Sequence, residues 1–219
     1  MKKGIIFDLD GTLWDSCEAI AASWNEYVAK YAQDVQRTFT GETMRALCGL
    51  TMTEFGDALF GDLDEKRRYA LTDACCEYEV EYLSVPREGV FIVEGLRPVL
   101  EELKKEYPLY IVSNCQKGYI EDFLINSKMG DLFEDLECFG DTGQKKSFNI
   151  RLLKNRNHLD EAIYVGDTQG DYDSAVEAGV LFVHAAYGYG TIDRDVPAAA
   201  NISELPQAIE AVVNGDDSL

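Results

Sequence analysis

Two aspartates close the stretch GIIFDLD, where Gly4 to Phe7 form a short apolar run and Asp8 and Asp10 follow with one leucine between them. In an extended strand residues i and i+2 point to the same side, which places the two carboxylates about 6 to 7 Å apart. At an effective dielectric near 20 they repel by about 3 kcal/mol. A shared proton, a metal ion or splaying into solvent would offset that repulsion. Asp and Gly are also common in plain turns, so the pair alone does not define a site.

A second acidic site lies in AIYVGDTQGDYDSAVEAG, where Asp167 ends an apolar run and Asp171 opens a helical pattern. Gly166 permits close backbone approach, and Gly170 permits a tight turn before a helix whose N-terminal dipole favours anions. Four carboxylates on two strand ends, with no cysteine or histidine in either motif, suit Mg²⁺, a hard ion that takes one or two carboxylates and several waters. Ser113 ends the strand LYIVSN, and Lys145 and Lys146 stand before Ser147 and the helix Asn149 to Lys154. Alone, such a serine is a cap residue and such a lysine pair is solvated surface. Their common order, Asp-x-Asp, strand-Ser, Lys before a helix, then Gly-Asp-Thr-x-x-Asp, puts every member at one edge of one sheet.

The elements that must carry these residues alternate. Continuous apolar runs at Gly4 to Phe7, Leu109 to Val112, Leu136 to Phe139, Ala162 to Val165 and Val180 to Val183 predict strands covered on both faces. Helical periodicity lies between them, with Pro98 at a helix start and Gly130 and Gly179 as expected stops. The expected fold is α/β, a doubly wound parallel-sheet (Rossmann-like) core. Residues 15 to 88 break the alternation with helices at Glu18 to Tyr31, Glu42 to Cys48, Met52 to Phe60 and Leu63 to Leu83. They read as an inserted all-helical unit that returns near Pro86 to Gly95, giving a core of residues 1–14 and 89–219. Gly215 to Leu219 are expected to fray.

Composition narrows the partners. With 40 acidic and 20 basic residues the 219-residue chain carries a net charge of −20, which disfavours nucleic acid and anionic membranes. An anionic substrate must then be drawn by a local cation. No apolar run approaches the roughly 20 residues of a membrane span, and no signal-peptide h-region precedes the first strand, so a cytoplasmic location is expected. The six cysteines show no C-x-x-C spacing and read as reduced, buried thiols.

This ordered set resembles the haloacid dehalogenase superfamily, in the branch with a helical cap after the first motif that phosphoglycolate phosphatase typifies. FDLDGTLWDS, IVSN, GQKKS and VGDTQGD are similar to its four motifs in turn. The resemblance implies Asp8 as nucleophile toward phosphorus and Asp10 as general acid and base. It implies Ser113 and one lysine, here expected to be Lys146, as phosphate ligands. Mg²⁺ would be held by Asp8, the Asp10 carbonyl and Asp167, with Asp171 direct or through water. The Asp10 position favours phosphate esters over carbon-halogen bonds. The implied activity is hydrolysis of a small phosphorylated metabolite through an aspartyl-phosphate, with phosphomutase and pyrophosphatase chemistry as alternatives on the same scaffold, in a monomer or dimer. Thr12 and Asn114 are further candidates for phosphate contact, Arg45 for a substrate anion, Gly49 for a loop touching the core or a helix stop, and Trp14 for lining the entrance or packing the hinge.

Overall fold

The computed structural model describes residues 1–215; residues 216–219, part of the stretch expected to fray, lie outside the described residues. The chain starts with β1 (Lys3–Phe7) and turns tightly into β2 (Trp14–Asp15). Four helices follow, α1 (Cys17–Tyr31), α2 (Gly41–Arg45), α3 (Met52–Phe60) and α4 (Glu65–Leu83). The chain returns through β3 (Phe91–Ile92), α5 (Leu96–Leu103), β4 (Leu109–Ser113), α6 (Tyr119–Ser127) and β5 (Phe133–Cys138). It ends with α7 (Phe139–Thr142), α8 (Lys146–Arg156), β6 (Glu161–Gly166), α9 (Gln169–Ala178), β7 (Leu181–Ala185), β8 (Ala198–Ala199) and α10 (Leu205–Asn214).

Six strands form one parallel sheet in the order β5-β4-β1-β6-β7-β8. Ile5, Phe7, Ile111, Ile163, Val165 and Val183 face one apolar layer, whereas Ile6, Tyr110, Val112, Tyr164 and Phe182 face the other. Neighbouring residues in each strand are therefore buried on opposite faces, which is why the runs are continuous rather than alternating. The core is an α/β, Rossmann-like sheet. Because β1 sits between β4 and β6, the strand order reverses there, and such a switch point opens a crevice at the strands' carboxyl ends.

The ribbon of β2 and β3 pairs Trp14 with Ile92 and Asp15 with Phe91, so the chain leaves for the four helices and returns side by side. These helices close around Trp24, whose ring packs on Phe39, Phe55 and Phe60. Thr51 and Glu54 form a reciprocal capping box at the start of α3, and Asp64 caps α4. Among the described residues no helix is long and apolar enough to cross a membrane.

The structure departs from expectation at several edges. The strand expected over Leu136 to Phe139 starts earlier, at Phe133, and stops at Cys138, with Phe139 opening α7. It is the sheet edge, where acidic residues survive because Arg156 binds Asp135 at 2.8 Å and Glu137 at 2.9 Å. Helix α6 stops at a left-handed Lys128 (φ 57°) instead of Gly130. The short strands β2, β3 and β8 carry no run long enough to show in the sequence.

Candidate functional site

Strands β1 and β6 pair in register from Lys3–Glu161 to Phe7–Val165, so their carboxyl ends emerge together. Asp8 leaves β1 with its amide donating to the Val165 carbonyl at 2.8 Å, and Asp167 follows β6 directly. Asp171 sits in the first turn of α9, locked by a capping box with Thr168. Carboxylate oxygens of Asp8, Asp167 and Asp171 lie within 4.8 Å of one another, all three residues buried. Such crowding needs missing side chains nearby. A Cβ at Gly166 would come within 2.6 Å of Asp171 Cγ, and one at Gly188 within 2.6 Å of both Asp167 Oδ2 and the Gly11 carbonyl.

One cation enters this cluster. Lys146, the first residue of α8 and only 3% exposed, places Nζ 2.8 Å from Asp8 Oδ1 and 2.6 Å from Asp171 Oδ1. Lys145, one residue earlier, points outward and pairs with Glu177. Burial, with repulsion from Asp171, pushes the Asp8 carboxyl up to about 7, although Lys146 pulls against the shift. Burial and Asp171 likewise push Asp167 up to about 7. Burial alone would depress Lys146, but the carboxylates of Asp171 and Asp8 reverse that and raise it.

The donor set fits a hard divalent cation. Asp167 Oδ2 accepts the Tyr189 amide at 2.7 Å, while its Oδ1 is buried without a hydrogen-bond partner. Three buried carboxylates share a single lysine, and all the ligands on offer are oxygen. Asp171 is less free: Oδ1 accepts Lys146, and Oδ2 accepts the Thr168 amide at 3.0 Å and its hydroxyl at 2.7 Å. It holds Lys146 and backs the cluster.

Asp10 occupies a different station. Trp14 Nε1 and the Tyr119 hydroxyl both donate to its Oδ1, at 3.1 and 2.6 Å. Since Tyr119 spends its one hydroxyl proton on Asp10, the 2.5 Å contact to Ser16 makes the serine the donor there. Oδ2 of Asp10 is left without a donor in this network. Burial pushes the Asp10 carboxyl up to about 7, and the Tyr119 bond opposes the shift. Trp14 is thus fully buried, bonded to Asp10 and edge-on to Tyr119 and Phe123.

The remaining expected residues divide. Ser113 is buried at the carboxyl end of β4, the neighbour of β1. Thr12 is fully buried with Oγ1 unpartnered. The Asn114 side-chain amide donates to the Gly49 carbonyl at 2.8 Å, and its Oδ1 is buried and unpartnered. Gly49, at φ 91°, is therefore a loop residue docked on the core, its missing Cβ 3.4 Å from Thr168 Oγ1. Arg45 is not brought to the acids: it pairs with Asp15 at 2.9 Å and lies over the Tyr189 ring at 5.5 Å. It lines no part of the cavity beside Asp10, whose walls come from α1, α2, α3, α4, α6, the loop between α2 and α3, and the loop after β4.

That cavity contains residues the sequence did not single out, namely Glu79, Gln116 and Tyr119. Glu79 has one local signal. It falls in register with the buried stripe Leu71, Cys75, Cys76 and Leu83 of α4, where an acid is out of place. Gln116 carries no such signal.

Comparison with known proteins gives the family. A family model described as haloacid dehalogenase-like hydrolase matches residues 5–185. A phosphoglycolate phosphatase from Rhodobacter capsulatus is 28% identical over 98% of this chain and 98% of its own length. One from Aquifex aeolicus is 28% identical over 88% of this chain and 89% of its own. A haloacid dehalogenase-like family hydrolase from Streptococcus pneumoniae superposes with a TM-score of 0.76 at 21% identity, covering 95% of this chain and 98% of that one. A 2-haloacid dehalogenase from Pseudomonas syringae pv. tomato superposes with a TM-score of 0.65 at 22% identity, covering 96% and 99%. Fold likeness therefore spans more than one chemistry, but the matched length leaves no ambiguity of family: this chain is an enzyme that belongs to the haloacid dehalogenase-like hydrolases.

Proposed function

We propose that the chain is a Mg²⁺-dependent phosphomonoesterase acting on a small phosphorylated metabolite through an aspartyl-phosphate, with residues 15–88 serving as a cap over the site. The observation that carries this reading is the convergence of Asp8, Asp167, Asp171 and Lys146 in one buried cluster at the sheet's carboxyl edge. The ion would be held by Asp8, the Asp10 carbonyl and Asp167, with Asp171 behind. When bound it offsets negative charge on the transferring phosphoryl group and on the acids themselves.

Asp8 Oδ then attacks phosphorus and the ester P–O bond breaks, leaving an acyl phosphate on Asp8. Lys146, tethered between Asp8 and Asp171, supplies a positive charge beside the reacting oxygens. Buried Ser113 and the free Oγ1 of Thr12 are the side chains that would meet the phosphate oxygens. Asp10, with Oδ1 fixed by Trp14 and Tyr119, presents Oδ2 to give a proton to the departing alkoxide and later to take one from the hydrolytic water. Burial raises its carboxyl above the ordinary carboxylate range, the direction a proton donor needs. The names of the relatives support phosphatase chemistry, and Asp10 supports it over dehalogenation. Among the described residues no lysine or arginine lines the cavity where a mutase would hold a second phosphate.

Asp8→Asn removes the nucleophile while keeping its shape. Turnover of p-nitrophenyl phosphate in Mg²⁺ should fall by about 10³-fold or more, with the melting temperature near that of the parent. Near-normal turnover would refute the assignment, and return of phosphate to a sugar product in place of release would convert it to a mutase.

A further inference from the structure

Asp10 lines a cavity, and on the phosphomonoesterase reading the departing alcohol, which takes its proton from Asp10, would lie there. The cavity offers about 40 Å³ to the centre of a water-sized sphere. One water needs about 10 to 15 Å³ by that measure, so the space holds about three or four non-hydrogen atoms. Trp24, Phe55, Leu47 and Tyr119 make its walls largely apolar, and among the described residues no lysine, arginine or histidine lines it. The charged residues that do are both acids, Asp10 and Glu79.

Glu79 is the unusual member. It is 3% exposed and forms no ion pair within the described residues. Trp24 Nε1 donates to its Oε2 at 2.6 Å and Gln116 Nε2 to its Oε1 at 2.7 Å. A carboxylate accepts at about four lone-pair positions, so roughly two remain open. Burial, with repulsion from Asp10 and Asp122, pushes the group up to about 8, the behaviour of an acid that lacks a cationic partner. Arg45, which could have served an anionic substrate, is spent on Asp15.

We propose that this cavity, with Glu79 ionised, selects a compact, non-anionic leaving alcohol whose far end donates a hydrogen bond to Glu79. The inference rests on the phosphomonoesterase reading and deepens it. It also sets this chain apart from its relatives named phosphoglycolate phosphatase. A carboxylate on the leaving group would be desolvated against Asp10 and Glu79 with no cation in the wall, whereas a hydroxyl or an ammonium would satisfy the open acceptor positions.

A graded series tests it with the full-length protein in Mg²⁺ at about pH 8.5, above the Glu79 value so that the carboxylate is ionised: ethyl phosphate, 2-hydroxyethyl phosphate, 2-aminoethyl phosphate and phosphoglycolate, with the small acyl ester acetyl phosphate measured in parallel. The expected kcat/KM for the better of the hydroxyl and ammonium esters exceeds that for ethyl phosphate by about tenfold and that for phosphoglycolate by about 100-fold. Which of the two leads identifies the donor. In Glu79→Gln the advantage over ethyl phosphate should shrink to within about threefold and phosphoglycolate should gain relative to the others. Phosphoglycolate turned over as well as or better than the donor esters overturns the proposal. So does a Glu79→Gln variant that slows all four esters by one common factor, which would make Glu79 only a fastener for Trp24 and Gln116. Turnover of acetyl phosphate confines either failure to the cavity; loss of every ester, acetyl phosphate included, overturns the phosphatase reading and this inference with it.

Discussion

Replacing Lys146 by methionine keeps much of the side-chain volume and removes the one charge that ties the acids together. The ammonium lies 2.8 Å from Asp8 and 2.6 Å from Asp171, with all three side chains at most 4% exposed. In an effective dielectric near 20 each contact is worth about 6 kcal/mol of Coulomb attraction. Desolvation of the three groups opposes that, so breaking a buried pair nets about 3 to 5 kcal/mol. For a chain of this size 1 kcal/mol moves the melting temperature by about 2 to 4 °C, so Lys146→Met should melt about 10 °C below the parent in metal-free buffer. Added Mg²⁺ should recover part of that loss by charge compensation, while turnover of p-nitrophenyl phosphate stays depressed by about 10²-fold or more. Lys145→Met is the internal control. Its partner Glu177 is on the surface, so it should melt within about 1 to 2 °C of the parent and keep its activity. Differential scanning fluorimetry and an initial-rate assay on the two variants suffice. A Lys146→Met protein as stable and as active as Lys145→Met would refute the account of the cluster.

Gly188→Ala puts a methyl group within 2.6 Å of Asp167 Oδ2 and the Gly11 carbonyl, so it should displace Asp167. Weakened Mg²⁺ activation at an almost unchanged fold, followed by circular dichroism and a metal titration of activity, is the expected result. Tyr119→Phe removes the 2.6 Å bond to Asp10 Oδ1, and steady-state kinetics should show kcat falling about tenfold with KM little changed, because the carboxyl loses its aim and the phosphate contacts stay. Glu79 gives a pH test of stability: its folded-state value near 8 lies above the ordinary 4.5. The folded protein therefore holds a proton that the unfolded chain releases, and the contribution is full below about pH 4.5 and lost as pH rises toward 8. Melting curves in metal-free buffer should show Glu79→Gln gaining on the parent between pH 5 and pH 8; a constant difference would show that Glu79 does not titrate in that window.

Much of the site was legible because its parts are local. Asp8 and Asp10 announce themselves by ending an apolar run at i and i+2, and Asp167 and Asp171 by a strand, a glycine and a helix start in quick succession. The bonds that complete the site are not local. Tyr119 meets Asp10 across 109 residues and Trp24 meets Glu79 across 55. Tyr119 falls among the buried apolar positions of α6, and Gln116 stands in the loop after β4. Arg45 shows the converse: a free-looking arginine in the helical segment is already committed to Asp15.

The sequence by itself determined the α/β alternation and the placement of four acids at one edge of the sheet, and it offered a lysine pair as the nearby positive charge, because strand pleat and helix start set those directions within a few residues. Only the tertiary structure decided which lysine supplies that charge. Lys145 is the extended N-cap of α8 and Lys146 its first helical residue, so the two side chains leave the backbone in different directions: Lys146 enters the cluster and Lys145 faces Glu177. The tertiary structure also decided what Asp10 faces. Helices α1 and α4 carry Trp24 and Glu79 over it from outside the sheet, and their docking depends on packing between segments that no short-range pattern connects.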